Sequence, residues 1–131
     1  MTLDLIDQTG TATPVAAELQ YDPCQPYAVT TVFMTGGSQV RWTFGRDLLR
    51  SGLHQPTGEG DVHVWPCLDA HGNAAVAIEL CSPDGEALFQ ARTGELSEFM
   101  ERTTDSVAPG TESEHLDLDA AIAAILSPGT A

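Results

Sequence analysis

The chain contains no lysine. Its fixed positive charges are five arginines, set against 19 acidic residues, for a net charge of −14 over 131 residues. A P-loop of the Walker type needs a lysine to reach the phosphates, so that chemistry is excluded. A field of this sign repels phosphate backbones and anionic lipid surfaces while favouring solubility. No nucleic-acid partner is therefore expected. Long apolar runs are also missing: none approaches the ~20 residues of a membrane-spanning helix, and direct membrane insertion is not expected. Cysteine is scarce. Cys24, Cys67 and Cys81 are odd in number and form no CxxC pair, which fits reduced thiols better than a disulfide framework. The first residues, Met1-Thr2-Leu3-Asp4-Leu5-Ile6-Asp7, lack the basic start and apolar core of a signal peptide. The expected location is cytoplasmic.

What the sequence does have is enough apolar content for an ordered core, 42%. Its length suits a single domain spanning 1–131, able to bury about two-thirds of the surface its unfolded chain exposes. The acidity is uneven. Eight acids face three arginines up to Ile78 (−5), and eleven face two from Glu79 onward (−9).

The stretch from Val40 to Pro66 organises the rest. Val40, Trp42 and Phe44 alternate with Arg41 and Thr43, the period of a half-buried strand. Arg46 to Ser51 then reads as a short helix, with Gly52 placed as a left-handed C-cap. A loop carrying Pro56, Gly58 and Gly60 follows, and Asp61 to Trp65 resumes alternation with Val62 and Val64 inward.

Taken in order, residues 1–12 carry few large side chains and are expected to be a frayed lead-in. Val15 to Tyr21 alternates as a first strand, and the two prolines of Asp22-Pro23-Cys24-Gln25-Pro26 make a turn. Tyr27 to Met34 is a second strand, apolar on both faces. The glycines of Thr35-Gly36-Gly37-Ser38 suit a tight hairpin into the Trp42 strand. Beyond a turn at Asp69–Asn73, Ala74 to Cys81 alternates with a second face of small residues, so that the sheet is open to cover from both sides. Ser82-Pro83-Asp84-Gly85 matches a type I turn, and Glu86 to Arg92 returns. From Thr93 the period becomes helical, with Leu96, Phe99, Met100 and Thr103 on one face. A last helix is expected from an Asp117 cap to Leu126. The fold class is α+β: about six strands in antiparallel hairpins, then two C-terminal helices.

Candidate chemistry is sparse. Gly58-Glu59-Gly60-Asp61-Val62-His63 begins like a dinucleotide fingerprint, but His63 replaces the third glycine and a strand follows rather than a helix. A loop with glycines at positive φ is the favoured reading. His63, Cys67 and His71 are spaced by four, which gathers side chains on a helix and not on a strand and turn, so no metal site is expected. Glu59 and Asp61 could serve as paired carboxylates, but with 19 acids in the chain a pair two apart is expected by chance. No GxSxG elbow occurs. Neither catalysis nor a cofactor is expected.

Several segments in this order resemble the SsgA-like protein family of spore-forming actinobacteria, and most of all its SsgB branch. They are Tyr21-Asp22-Pro23, Pro26-Tyr27-Ala28-Val29, Trp42-x-Phe44-x-Arg46-Asp47-Leu48-Leu49 with Gly52-Leu53, and Pro56-x-Gly58-x-Gly60-Asp61-Val62-x-Val64-Trp65-Pro66. Ser82-Pro83-x-Gly85-x-Ala87, Phe99-x-x-Arg102-Thr103, Pro109-Gly110-Thr111-Glu112 and Leu118-Asp119 continue the match over about ninety residues. Gln25 departs from the family's usual Asp, and Gly45 from its usual Ala. The resemblance implies a non-enzymatic role in sporulation-specific cell division at the septum, with recruitment of the tubulin-like division protein FtsZ. It also implies a homotrimer of curved antiparallel sheets with packed helices, akin to the whirly single-stranded nucleic-acid-binding proteins, and contact with division proteins such as FtsZ or an SsgA-type paralogue. Fold kinship with nucleic-acid binders leaves such a module as the alternative function. The partner surface expected from the sequence is the rim made by Glu59 and Asp61 beside Trp65, with Arg46 and Asp47 at the strand-to-helix turn.

Overall fold

The computed structural model describes residues 1–116, so the helix expected at Asp117–Leu126 lies outside the described residues. Eight strands form one antiparallel sheet in the order β4-β3-β2-β1-β8-β7-β6-β5. They are β1 (Thr2–Ile6), β2 (Ala12–Gln20), β3 (Ala28–Thr35), β4 (Ser38–Gly45), β5 (Thr57–Glu59), β6 (Val62–Leu68), β7 (Ala74–Ser82) and β8 (Gly85–Arg92). Helix α1 (Arg46–Gly52) joins the two four-stranded meanders. Helix α2 (Thr93–Ser106) follows the second, and a short 3-10 turn, Glu112–His115, comes after it.

The lead-in expected at residues 1–12 is instead a structural strand. β1 pairs with β2 through Leu3↔Val15 and with β8 through Leu5↔Phe89, so it stitches the two meanders into one sheet. Leu3 is buried in the core, and the Met1 ammonium donates to the Ala17 carbonyl at 3.0 Å. Fraying is the usual fate of a terminus, but here a strand is laid between two others and both its edges are hydrogen-bonded.

The sheet curls onto itself. Phe33 on β3 and Phe89 on β8 have β2 and β1 between them, which in a flat sheet separates them by about 14 Å. Their ring centroids are 4.4 Å apart, stacked at 19°. Inside the curl, Val15, Val29, Phe44, Val64, Val76 and Ile78 form one core with Leu48 and Leu49 of α1 and with Leu96, Phe99 and Met100 of α2. The alternation expected for Val40, Trp42 and Phe44 holds, but burial fades along the strand: Phe44 is buried, Trp42 half-buried and Val40 exposed.

Two glycines play other parts than expected. Gly52 is the last residue of α1 and is not in the left-handed region. A Cβ there would stand 2.2 Å from Val64 Cγ1, so its role is close approach of helix to sheet. Gly58 lies within β5, also outside the left-handed region, against the His63 ring, which a Cβ would meet at 2.5 Å. Of that segment's glycines, Gly60 takes the positive φ, +59°, in the β5–β6 hairpin. The Gly36-Gly37 hairpin is as expected, with φ of +52° and +86°.

The small outer face of β7 is buried by the sheet itself. Ala77 sits between Trp65 of β6 and Gln90 of β8, and Ala75 between Cys67 and Arg92. Both alanines are sunk below these larger cross-strand neighbours.

Candidate functional site

Arg46, expected on an exposed rim, is 1% exposed and turned inward. Its backbone N–H donates to the Tyr27 carbonyl at 2.7 Å. Its guanidinium donates to the carbonyls of Thr103 (3.1 Å) and Val107 (2.7 Å) at the end of α2, and to Glu112 Oε1 at 2.8 Å. The same group lies over the Tyr21 ring, 5.3 Å from its centroid. The Thr103 carbonyl also accepts from Val107 N–H at 2.9 Å; carbonyls at a helix C-terminus carry partial negative charge, so a planar cation of five donors suits them. Glu112 completes the arrangement. Its carboxyl is held below the usual carboxylate range, first by its own backbone N–H, then by Arg46, with Gly110 N–H donating at 2.9 Å. The cluster is a structural clamp, and Arg46 therefore leaves the surface patch expected from the sequence.

The other four expected residues are surface groups that divide between two sides. Asp47 is exposed and bonded to Arg50 one turn along α1. Glu59 pairs in register with Val62, an inward residue, and its carboxylate reaches toward Gly45 at the start of α1. Trp65 lies on the opposite, outer face, half-buried beside Ala77. Asp61 occupies the hairpin turn between them, exposed, with its carbonyl accepting from Cys81 N–H at 2.8 Å. The expected rim is thus the end of one hairpin seen from two sides, with Trp65 on the sheet's outer surface.

That outer surface gathers a cluster the sequence reading missed. His63 on β6 is opposite Glu79 on β7, with Nδ1 3.6 Å from Oε1. Cys81, two residues along β7 on the same face, has Sγ 3.8 Å from the same oxygen. The trio anticipated as an unlikely zinc set, His63, Cys67 and His71, does not come together; among the described residues His63, Glu79 and Cys81 do. Burial raises the Cys81 thiol, as do the charges of Glu79, Glu86 and Asp61. The signal was available in one form: counting outward from the Asp69–Asn73 turn brings position 63 opposite position 79.

Fold and surfaces together define a class: a curled antiparallel sheet with two helices inside the curl and a broad exposed outer face. The comparisons with known proteins make the assignment specific. Residues 15–112 match the family described as Streptomyces sporulation and cell division protein, SsgA. The chain belongs to this SsgA family. It is 48% identical over 126 residues to the sporulation-specific cell division protein SsgB of Streptomyces coelicolor, covering 95% of this chain and 91% of that one. The SsgB of Salinispora tropica is 47% identical over 128 residues, covering 95% and 89%. Two solved structures share the fold at a TM-score of 0.84. One comes from work on SsgB mutations and longitudinal cell division in sporulating S. coelicolor, at 48% identity over 88% of this chain and 91% of that one. The other is an SsgA-like sporulation-specific cell division protein from Thermobifida fusca, at 42% identity over 95% and 91%. Among the described residues no helix is long and apolar enough to cross a membrane.

Proposed function

We propose that the chain is a non-enzymatic docking protein of sporulation-specific cell division that helps bring FtsZ to septum sites. The observation that carries the reading is the match to proteins named SsgB, which covers 95% of this chain in sequence and 88% of it in structure. The recruitment step is what the family resemblance implies. The structure supports it through the β5–β6 hairpin, which carries an exposed carboxylate, Asp61, in its turn and a half-buried aromatic anchor, Trp65, on the outer face of β6. Aromatic anchors carry most of the energy of such contacts, and rim charges set orientation and encounter rate. Asp47 and Glu59 extend the acidic rim on the other side. The working form is a homotrimer, a number taken from the family resemblance.

The experiment is complementation. Expressed in S. coelicolor lacking its own SsgB, a fluorescent fusion of this chain is expected to mark division sites and restore sporulation septa. A stable, folded fusion spread evenly through the cytoplasm without restored septa would contradict the proposal.

A further inference from the structure

We propose that His63, Glu79 and Cys81 form a binding site for a zinc-type transition-metal cation on the outer face of the sheet. Tetrahedral zinc holds nitrogen and oxygen ligands at about 2.0–2.2 Å and sulfur at about 2.3 Å, so its ligand atoms stand about 3.3–3.7 Å from one another. Here the imidazole nitrogen and the thiol sulfur lie 3.6 and 3.8 Å from one carboxylate oxygen. All three ligand atoms lie within 4.8 Å of one another. Small side-chain rotations close the remaining gap.

The backbone fixes these positions. The β6–β7 register sets His63 opposite Glu79, and Cys81 follows two residues later on the same face. Gly58, lacking a Cβ, leaves the space that the imidazole fills on the β5 side. The donor set selects the metal class. Imidazole and thiolate favour zinc, cobalt and nickel over magnesium and calcium, which take oxygen ligands. Binding deprotonates the Cys81 thiol, and the proton passes to solvent. Three protein ligands leave a fourth position. His63 is 48% exposed at its side chain, so that position opens outward, to a water or to a carboxylate or imidazole of a bound protein.

The test titrates the full chain, reduced and freed of metal, with cobalt(II) and then displaces the cobalt with zinc. One equivalent per chain is expected, with a thiolate-to-cobalt charge-transfer band and the intense visible bands of tetrahedral cobalt. Cys81→Ser should abolish the charge-transfer band and weaken zinc binding at least about tenfold, the least that loss of even an outer-shell partner of a ligand typically costs. Glu79→Gln and His63→Gln, at partly exposed positions, should each weaken it while the far-ultraviolet circular dichroism stays unchanged. The double variant Cys24→Ser/Cys67→Ser should bind like the parent. Absence of the band in the parent overturns the proposal. So does a band that survives Cys81→Ser or disappears with Cys24→Ser/Cys67→Ser, and so does weak binding shared equally by all variants, the mark of non-specific attraction to an acidic surface.

Discussion

Arg46 and Glu112 are 66 positions apart in the chain and 2.8 Å apart in the fold, joined in a buried ion pair. The pair fastens the start of α1, which leaves the first meander, to the segment that follows α2 and the second. Replacing Arg46 by Met removes the cation from Glu112 and the side-chain donors to the carbonyls of Val107 and Thr103, the latter keeping its bond from Val107 N–H. Breaking a buried pair by removing one partner is strongly destabilising. A fall in Tm of at least about 5 °C is expected by calorimetry; an unchanged Tm would show that the clamp carries no stability.

The same pair gives a pH dependence. The Glu112 carboxyl is held below its ordinary 4.5 by its own N–H and then by Arg46. A carboxyl with a depressed folded value adds stability above the unfolded value and loses it as pH falls through the folded one. The difference in Tm between the parent and Glu112→Gln should therefore be full at pH 7. It should close as the pH drops below about 4.5. A difference that stays constant from pH 7 to pH 3 would contradict the role given to this carboxylate.

Gly52→Ala inverts the usual rule. In an ordinary helical position the change stabilises by about 1 kcal/mol. Here the new methyl would stand 2.2 Å from Val64 Cγ1 and 2.5 Å from Val64 Cβ. Pushing α1 away from β6 is expected to cost about 1–3 kcal/mol by urea denaturation. Gly94→Ala, at the start of α2 with open space around it, serves as the control and should be neutral or better.

Most of the fold was legible because period-two alternation and turn chemistry are local. β2, β3, β4, β6, β7 and β8, the Gly36-Gly37 hairpin, the Ser82–Gly85 turn and the helical face of Leu96, Phe99 and Met100 all follow from neighbouring residues, whereas β5, Thr57–Glu59, reads as loop because its glycine carries no alternation. β1 was not legible, since five residues beside two acids say nothing about the two strands that enclose them. Arg46 misled for a related reason. A charged residue at a strand-to-helix junction reads as exposed, and only the return of the chain at Thr103, Val107 and Glu112 buries it. The surface divides along the same line: Asp61 and Trp65 belong to one local motif that the sequence displays, while His63 with Glu79 and Cys81 depends on the register between two strands.

The few arginines are mostly engaged. Arg46 is buried, Arg50 bonds Asp47, and Arg102 lies 3.7 Å from Glu98, which leaves Arg41 and Arg92 without ion pairs among the described residues. Non-specific nucleic-acid affinity comes from neutralising phosphates. Fluorescence anisotropy with labelled single-stranded DNA at physiological salt should therefore show no micromolar binding. Micromolar binding that weakens as salt rises would favour the nucleic-acid-binding alternative.

Assembly is read from exposed apolar residues. Met34 on the outer face of β3, Tyr27 in the turn before it and Leu68 at the end of β6 are large apolar residues with 43%, 52% and 67% exposure, and such surface is a candidate for contacts between chains. Size-exclusion light scattering should return three times the 13.9 kDa of one chain. A monomer at high concentration would contradict the trimer.

Co-sedimentation with polymerised FtsZ tests the docking role most directly. The folded parent chain should pellet with GTP-assembled FtsZ, alone or with an SsgA-type paralogue added. Glu59→Gln/Asp61→Asn/Trp65→Ala, folded and with the parent's oligomeric state, should do so at least about tenfold more weakly, as loss of an aromatic anchor requires. A triple variant that pellets like the parent would contradict the hairpin surface, and a parent that remains in the supernatant in every mixture would contradict recruitment itself.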